Sequence, residues 1–288
     1  MSTIVYACRG CDRPPEPKKW KGPCERCGGW WNCVPRRVSD EGQRKFDIED
    51  GERVALCLVS EDVDDAKRVP IGGEFAAVDA MLDGGIVTDS VTLLSGPPGI
   101  GKSTLMLQLL CELARGHKVL FVSGEESIKQ VARRYNRLNL PDRKNLEIIN
   151  QVELDEVIEQ VEDAHAKVVV VDSAQKLQVM NDWGEEYEVG SPKAIKHAVD
   201  AISKYAQKHE TAFIVIGHVT KDGAISGPRS FEHDVDCVLY FDGDESGTER
   251  ELRVSGKNRN GSTGREARVR FAMTATGLVV DPEVADGP

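Results

Sequence analysis

The stretch Ser90-Val-Thr-Leu-Leu-Ser-Gly96-Pro97-Pro98-Gly99-Ile100-Gly101-Lys102-Ser103-Thr104 decides the reading of this chain. A short β-rich run, Ser90 to Ser95, passes directly into G-x-x-x-x-G-K-S. Leu105, Leu107, Leu109, Leu110 and Leu113 then give a strongly apolar helix. Strand, glycine-rich loop and helix in that order is the context that a phosphate-binding P-loop requires. Successive backbone N–H groups between Gly96 and Thr104, with the helix N-terminus behind them, form a cradle for anions. In such a loop Lys102 reaches the β- and γ-phosphates, and the Ser103 hydroxyl ligates Mg²⁺. The motif therefore implies ATP and Mg²⁺.

Downstream of this motif, strands and helices alternate. Lys118 to Ser123 reads as a buried strand and Leu146 to Ile149 as another, while Leu154, Val157, Ile158 and Val161 recur at helical spacing. Val168-Val-Val-Val171-Asp172 is a β-branched run ending in a carboxylate, so Asp172 fits the acid that completes the Mg²⁺ shell from the end of a neighbouring strand. Ser191-Pro192 opens a helix with Ser as cap and Pro in the first turn. Phe213 to Ile216 is a further buried strand. Glu251 to Val254 and Ala267 to Met273 alternate polar with apolar residues, and with Cys237 to Phe241 they read as strands added at one edge. The expected fold is α/β, a mostly parallel sheet with helices on both faces and antiparallel strands added at one edge.

Glu125 and Glu126 follow the strand that ends at Ser123. A triphosphatase needs a carboxylate to orient or deprotonate the attacking water. Acidic residues also favour a helix N-terminus, so residue chemistry alone leaves both roles open for this pair.

The first residues read Cys8-Arg-Gly-Cys11, then twelve residues, then Cys24-Glu-Arg-Cys27-Gly28. Two C-x-x-C turns supply four thiolates to one tetrahedral Zn²⁺. Cys33 follows closely but breaks the paired spacing. Such a ribbon is either a folding staple or a docking module. Basic residues outnumber acids here and three of the chain's four tryptophans (Trp20, Trp30, Trp31) lie in this segment, which favours a contact surface slightly. The expected organisation is a four-cysteine zinc ribbon at 1–36, an acidic linker at 37–69 and an ATPase domain at 70–288.

Across 288 residues, 40% apolar and 30% charged composition is that of a folded globular chain. No apolar run is long enough to span a membrane, and Met1 to Arg13 lacks the apolar stretch of a signal peptide. The chain reads as cytoplasmic, and its eight cysteines as poor disulfide candidates. A net charge of −11 argues against coating duplex DNA through bulk positive charge, but leaves room for a locally basic channel.

Taken together, these motifs resemble the bacterial RadA/Sms family of DNA-repair proteins, RecA-core ATPases related to the DnaB-type hexameric helicases. The resemblance rests on the Cys8–Cys27 ribbon, Leu82-Asp-Gly-Gly85, the P-loop, Ser123-Gly-Glu-Glu-Ser127 and Val171-Asp-Ser173. It continues through Gly217-His-Val-Thr-Lys221, Gly227-Pro-Arg229, Phe231-Glu-His-Asp-Val-Asp236 and Lys257-Asn-Arg-Asn-Gly261. It implies that Glu125 is the catalytic glutamate and that His218 senses the γ-phosphate. It implies that Lys221 and Arg229 contact DNA in a central channel, and that Lys257 and Arg259 act on a neighbouring subunit's nucleotide. A phenylalanine of the family motif is Asn260 here, and a Lon-protease-like domain usual in the family does not follow, which suggests a short form.

The implied activity is that of a ring-forming helicase of DnaB type: an ATP-driven single-stranded-DNA motor that extends branches at recombination intermediates. A RecA-type recombinase is a candidate partner. The alternative is a nucleotide-switched adaptor whose ribbon recruits a recombinase or replisome protein without unwinding DNA.

Overall fold

The computed structural model describes residues 3–8, 24–27, 33–38, 67–180, 185–217, 230–244, 247–263 and 267–281. The chain divides into two compact units, Met1–Asp65 and Ala66–Pro288. In the first, strands β1 (Thr3–Cys8) and β2 (Cys33–Val38) pair antiparallel, with Cys8 opposite Cys33.

The second unit opens with β3 (Arg68–Val69), paired to β4 (Ile86–Val87) around the short helix α1 (Ala76–Met81). This unit therefore takes in residues that sequence reading assigned to the linker. β5 (Val91–Ser95), β6 (Val119–Ser123), β7 (Leu146–Ile149), β8 (Val168–Asp172) and β9 (Ala212–Ile216) follow. Helices α2 (Lys102–Leu113), α3 (Ile128–Arg137), α4 (Leu154–Ala164) and α5 (Pro192–His209) separate them, and a short α6 (Ser230–Asp234) leads into β10 (Cys237–Gly243). The chain continues through β11 (Glu249–Asn258), β12 (Arg268–Thr274) and β13 (Gly277–Val280).

These strands make one nine-stranded sheet ordered β13-β12-β11-β10-β5-β9-β8-β6-β7. Every pairing from β10 to β7 is parallel, and β11, β12 and β13 add antiparallel at the β10 side. The expected architecture is found with one correction: Cys237–Phe241, expected among the antiparallel strands, pairs parallel with β5 on one side and antiparallel with β11 on the other, and β13 extends the edge beyond the strands expected.

The continuous apolar runs have a direct cause. Successive strand residues point to opposite faces, and both faces of the parallel strands are covered. Val91, Leu93, Leu120, Val122, Val169, Val171, Phe213 and Val215 join α4 and α5 in one core. Their neighbours Leu94, Val119, Phe121, Val168, Val170 and Ile214 join α1, α2 and α3 in the other. The loops at the C-terminal ends of β5, β6 and β8 follow from this packing, and the candidate site sits there.

Candidate nucleotide site

β5 delivers Ser95, fully buried, and the chain turns immediately into the loop. Gly96 has φ +153, and a Cβ there would collide with the Phe241 carbonyl of β10. No other residue lets the loop run this close to the sheet. Gly101, in a left-handed conformation at φ +110, opens α2, and no side chain caps that helix. Its first N–H groups are therefore available to an anion, as a phosphate cradle needs.

Lys102 is 5% exposed, and its Nζ donates to the carbonyls of Gly96 at 2.7 Å and Pro97 at 2.8 Å. The ammonium is thus held over the loop. Burial lowers its pKa, while the nearby Asp172 and Glu125 carboxylates act in the opposite direction.

Asp172 ends β8 and is 6% exposed. Burial raises its pKa, a hydrogen bond from the Ser103 side chain counters that rise, and the Glu125 charge adds to it. Asp172 was expected on a strand neighbouring the P-loop strand, but β9 lies between β5 and β8. Asp172 nonetheless reaches Ser103, because α2 extends from the loop over the strand ends. One hydroxyl and one carboxylate in contact at the mouth of an anion cradle are a donor set suited to Mg²⁺.

The structure gives different surroundings to the two glutamates that residue chemistry alone left open and of which the resemblance implied Glu125. Glu126 is salt-bridged to Arg134 of α3 at 2.7 Å, and its backbone is tied to the Ser123 hydroxyl. Glu125 accepts a hydrogen bond from Ser173 Oγ at 2.9 Å and faces Lys102 and Asp172. Ser173 is 1% exposed and follows a cis Asp172–Ser173 peptide. The helix-start role belongs to Ser127, which forms a capping box with Gln130.

Lys257 and Arg259 are not brought to this cradle. Lys257 Nζ donates to the Glu232 and His233 carbonyls at the end of α6. Arg259 pairs with Asp236 at 2.8 Å, and the other Asp236 carboxylate oxygen accepts from Val91 N–H at 3.0 Å. Val91 begins β5 and the P-loop follows its end. At about 3.3 Å per residue the two cations stand roughly 16 Å along the strand from Gly96. Burial and the Arg259 charge lower the Lys257 pKa. Asn260 takes part through its backbone: its carbonyl accepts from the Arg68 guanidinium, which also bonds Leu82 O at 2.8 Å.

The Sγ atoms of Cys8, Cys24 and Cys27 lie within 4.8 Å of one another, with Cys8 and Cys27 3.6 Å apart. Four sulfurs at about 2.3 Å around Zn²⁺ stand about 3.8 Å from each other, so the three thiols fit such a site. That spacing is far beyond a disulfide bond. The fourth expected ligand, Cys11, lies outside the described residues, as do His218, Lys221 and Arg229.

Three residues with a part in this geometry were given no role in the sequence reading: Ser173, Asp236 and Arg250, whose Nε donates to the Ile100 carbonyl of the loop at 3.2 Å. The first two stand inside motifs quoted above. Arg250 precedes the strand expected at Glu251 and carries no motif signal.

The sequence profile of the AAA domain family matches residues 59–224, more than half of the chain. The chain belongs to this family. Beyond the AAA domain, the DNA repair protein RadA of Haemophilus influenzae is 34% identical over 277 residues, covering 95% of this chain and 58% of that protein. The Pseudomonas aeruginosa and Escherichia coli RadA proteins are 37% and 35% identical over the same 95% of the chain. The resemblance seen in the motifs therefore holds along nearly the whole sequence, which spans about three fifths of these relatives. Two solved structures share the fold at 20% identity. A KaiC-like protein from Pyrococcus horikoshii has a TM-score of 0.57, with 75% of this chain and 99% of that one covered. The RadB recombinase has a TM-score of 0.53, with 70% and 95% covered. The AAA domain here is a RecA-like P-loop NTPase core. Among the described residues, no helix is long and apolar enough to cross a membrane.

Proposed function

We propose that this protein is an ATPase of DNA repair and recombination that moves along single-stranded DNA and promotes branch migration. Gly96 to Thr104 would bind ATP, with Ser103 and Asp172 holding Mg²⁺, and the metal would neutralise charge on the transferring phosphoryl group. Glu125, steadied by Ser173, orients and deprotonates the attacking water. The Lys257–Arg259 pair stabilises the transferred charge in the site of the next subunit of a ring, a hexamer in this reading. His218 relays the state of the γ-phosphate to Lys221 and Arg229, which contact the DNA backbone. A protein of net charge −11 can hold DNA this way when its basic loops converge in one channel. The cysteine cluster, with Cys11 as fourth ligand, would hold Zn²⁺.

The observation that supports this reading most is the separation within one chain. The cations assigned to the transferred charge lie at one end of β5, where Arg259 pairs with Asp236, and the cradle lies at the other. In this reading a second copy supplies them, which couples turnover to assembly. The name of the relatives that match along 95% of the chain supports the repair setting.

The test is steady-state hydrolysis across a single-stranded DNA titration at several salt concentrations. Turnover that rises with DNA supports the motor, and turnover unchanged at saturating DNA contradicts it. The cysteine cluster lies in a compact unit of its own, which favours a second reading, a nucleotide-switched adaptor that recruits a recombinase. Strand displacement separates the two, because an adaptor binds its partner and unwinds nothing.

A further inference from the structure

Arg250 lies on β11 opposite Gly243 of β10 and is 8% exposed. Its Nε donates to the carbonyl of Ile100 at 3.2 Å. Its Nη1 donates to the carbonyls of Asp244 at 2.8 Å, Gly247 at 3.0 Å and Glu249 at 2.7 Å. A Cβ on Gly243 would stand 2.7 Å from Arg250 Cδ, so the hairpin is shaped around this side chain. Each of these acceptors is a neutral backbone carbonyl. A guanidinium stays charged under all ordinary conditions, so the hairpin carries a fixed positive charge beside the loop.

One of the four acceptors belongs to the phosphate loop. In a planar trans peptide the C=O and the following N–H point in opposite directions. A bond that holds the Ile100 carbonyl towards β11 therefore turns the Gly101 N–H away from β11. Gly101 is the residue that opens α2, where the uncapped N–H groups gather. The back of the loop is closed by the same strands: a Cβ on Gly101 would stand 2.9 Å from Met273 Cε of β12.

We infer that Arg250 is a positioning residue for nucleotide binding: by holding the Ile100 carbonyl it presets the Gly101 N–H for the β-phosphate of a nucleoside di- or triphosphate. The inference rests on the P-loop reading of Gly96 to Thr104 and adds a residue from the antiparallel edge of the sheet. The role is one of affinity. Arg250 touches neither the attacking water nor the γ-phosphate, so KM should move much more than kcat.

The probes are inorganic pyrophosphate, which carries neither base nor ribose, and ADP, both titrated into the full chain. Arg250→Met removes charge and donor, and Arg250→Lys keeps the charge. In Arg250→Met the dissociation constant for pyrophosphate should rise about tenfold, equivalent to about 1.4 kcal/mol. Arg250→Lys should recover most of that loss. Native affinity in Arg250→Met overturns the inference, and so does equal loss in the two variants that merely follows their melting temperatures. Should Arg250→Met not fold, Arg250→Gln, which also removes the charge and the guanidinium donors, replaces it with the same expected loss and the same overturning result. A KM for ATP raised about threefold at little-changed kcat supports the role, and an unchanged KM overturns it. Lys102→Ala keeps the two readings apart: pyrophosphate binding that it leaves intact counts against the P-loop reading itself.

Discussion

Ser173 Oγ donates a 2.9 Å hydrogen bond to Glu125, joining the residue after the β8 carboxylate to the residue that faces Lys102. Ser173 is buried and Glu125 is exposed, so the fixed partner sets the orientation of the exposed one. A hydrogen bond to a charged group contributes about 1.5–3 kcal/mol. Ser173→Ala should therefore lower kcat by roughly 10- to 100-fold with little change in KM for ATP. Steady-state kinetics with ATP varied at saturating Mg²⁺ measures this. A native kcat would remove Ser173 from the account.

Lys102→Ala removes the ammonium that bonds the Gly96 and Pro97 carbonyls. Hydrolysis should be abolished while circular dichroism and the melting profile stay close to native, because the apolar cores do not include this side chain. Measurable turnover in the variant would contradict the assignment of the loop.

The thiols should divide into two classes. Cys237 is buried, and its pKa is pushed up to about 12 by burial and then by the Asp236 charge. Burial raises that of Cys111 as well. Alkylation requires the thiolate, so at pH 8 both should resist iodoacetamide until the chain unfolds. Cys8, Cys24 and Cys27 should be protected by metal and react promptly once a chelator removes it. Zinc content by atomic absorption should be about one ion per chain for a site of four cysteines. Prompt alkylation of the cluster in metal-replete protein, before any chelator is added, would contradict the zinc ribbon.

Arg259 is 55% exposed in its pair with Asp236, and exposed pairs contribute at most about 1 kcal/mol. Arg259→Ala should thus leave stability nearly unchanged. Its hydrolysis should fall by roughly 10³- to 10⁵-fold if the cation acts in a neighbour's site. Chemical denaturation and turnover measured on one preparation separate the two effects.

Most of the fold was legible because burial on both faces writes itself as unbroken apolar runs. Val168 to Val171 and Phe213 to Ile216 are such runs, and they split by alternation between the two cores. Of the antiparallel edge, β11 and β12 were recognised from their alternation, although β11 extends beyond the stretch expected and β13 was not expected; β10 is an apolar run that pairs parallel with β5. Strand order was not legible. Nothing local tells that β9 intervenes between β5 and β8, since that is settled by how the crossovers pack. The glutamates were legible in part: adjacent and chemically alike, they were told apart in the sequence by the resemblance alone, and the contact of Glu126 with Arg134, eight residues later, could not be read locally. Arg250 was invisible for a related reason: its meaning comes from Ile100, 150 residues earlier.

The central claim is that ATP is cleaved in a seam between two copies, with Glu125 and the P-loop from one and Arg259 from the next. Mixing Arg259→Ala with Glu125→Gln measures it most directly. Each variant alone should be nearly inert. In an equal mixture a seam works only when an intact Glu125 meets an intact Arg259, so about one quarter of the native rate should return whatever the ring size. No recovery at any mixing ratio, or full-speed hydrolysis by a strictly monomeric preparation, would contradict the shared seam.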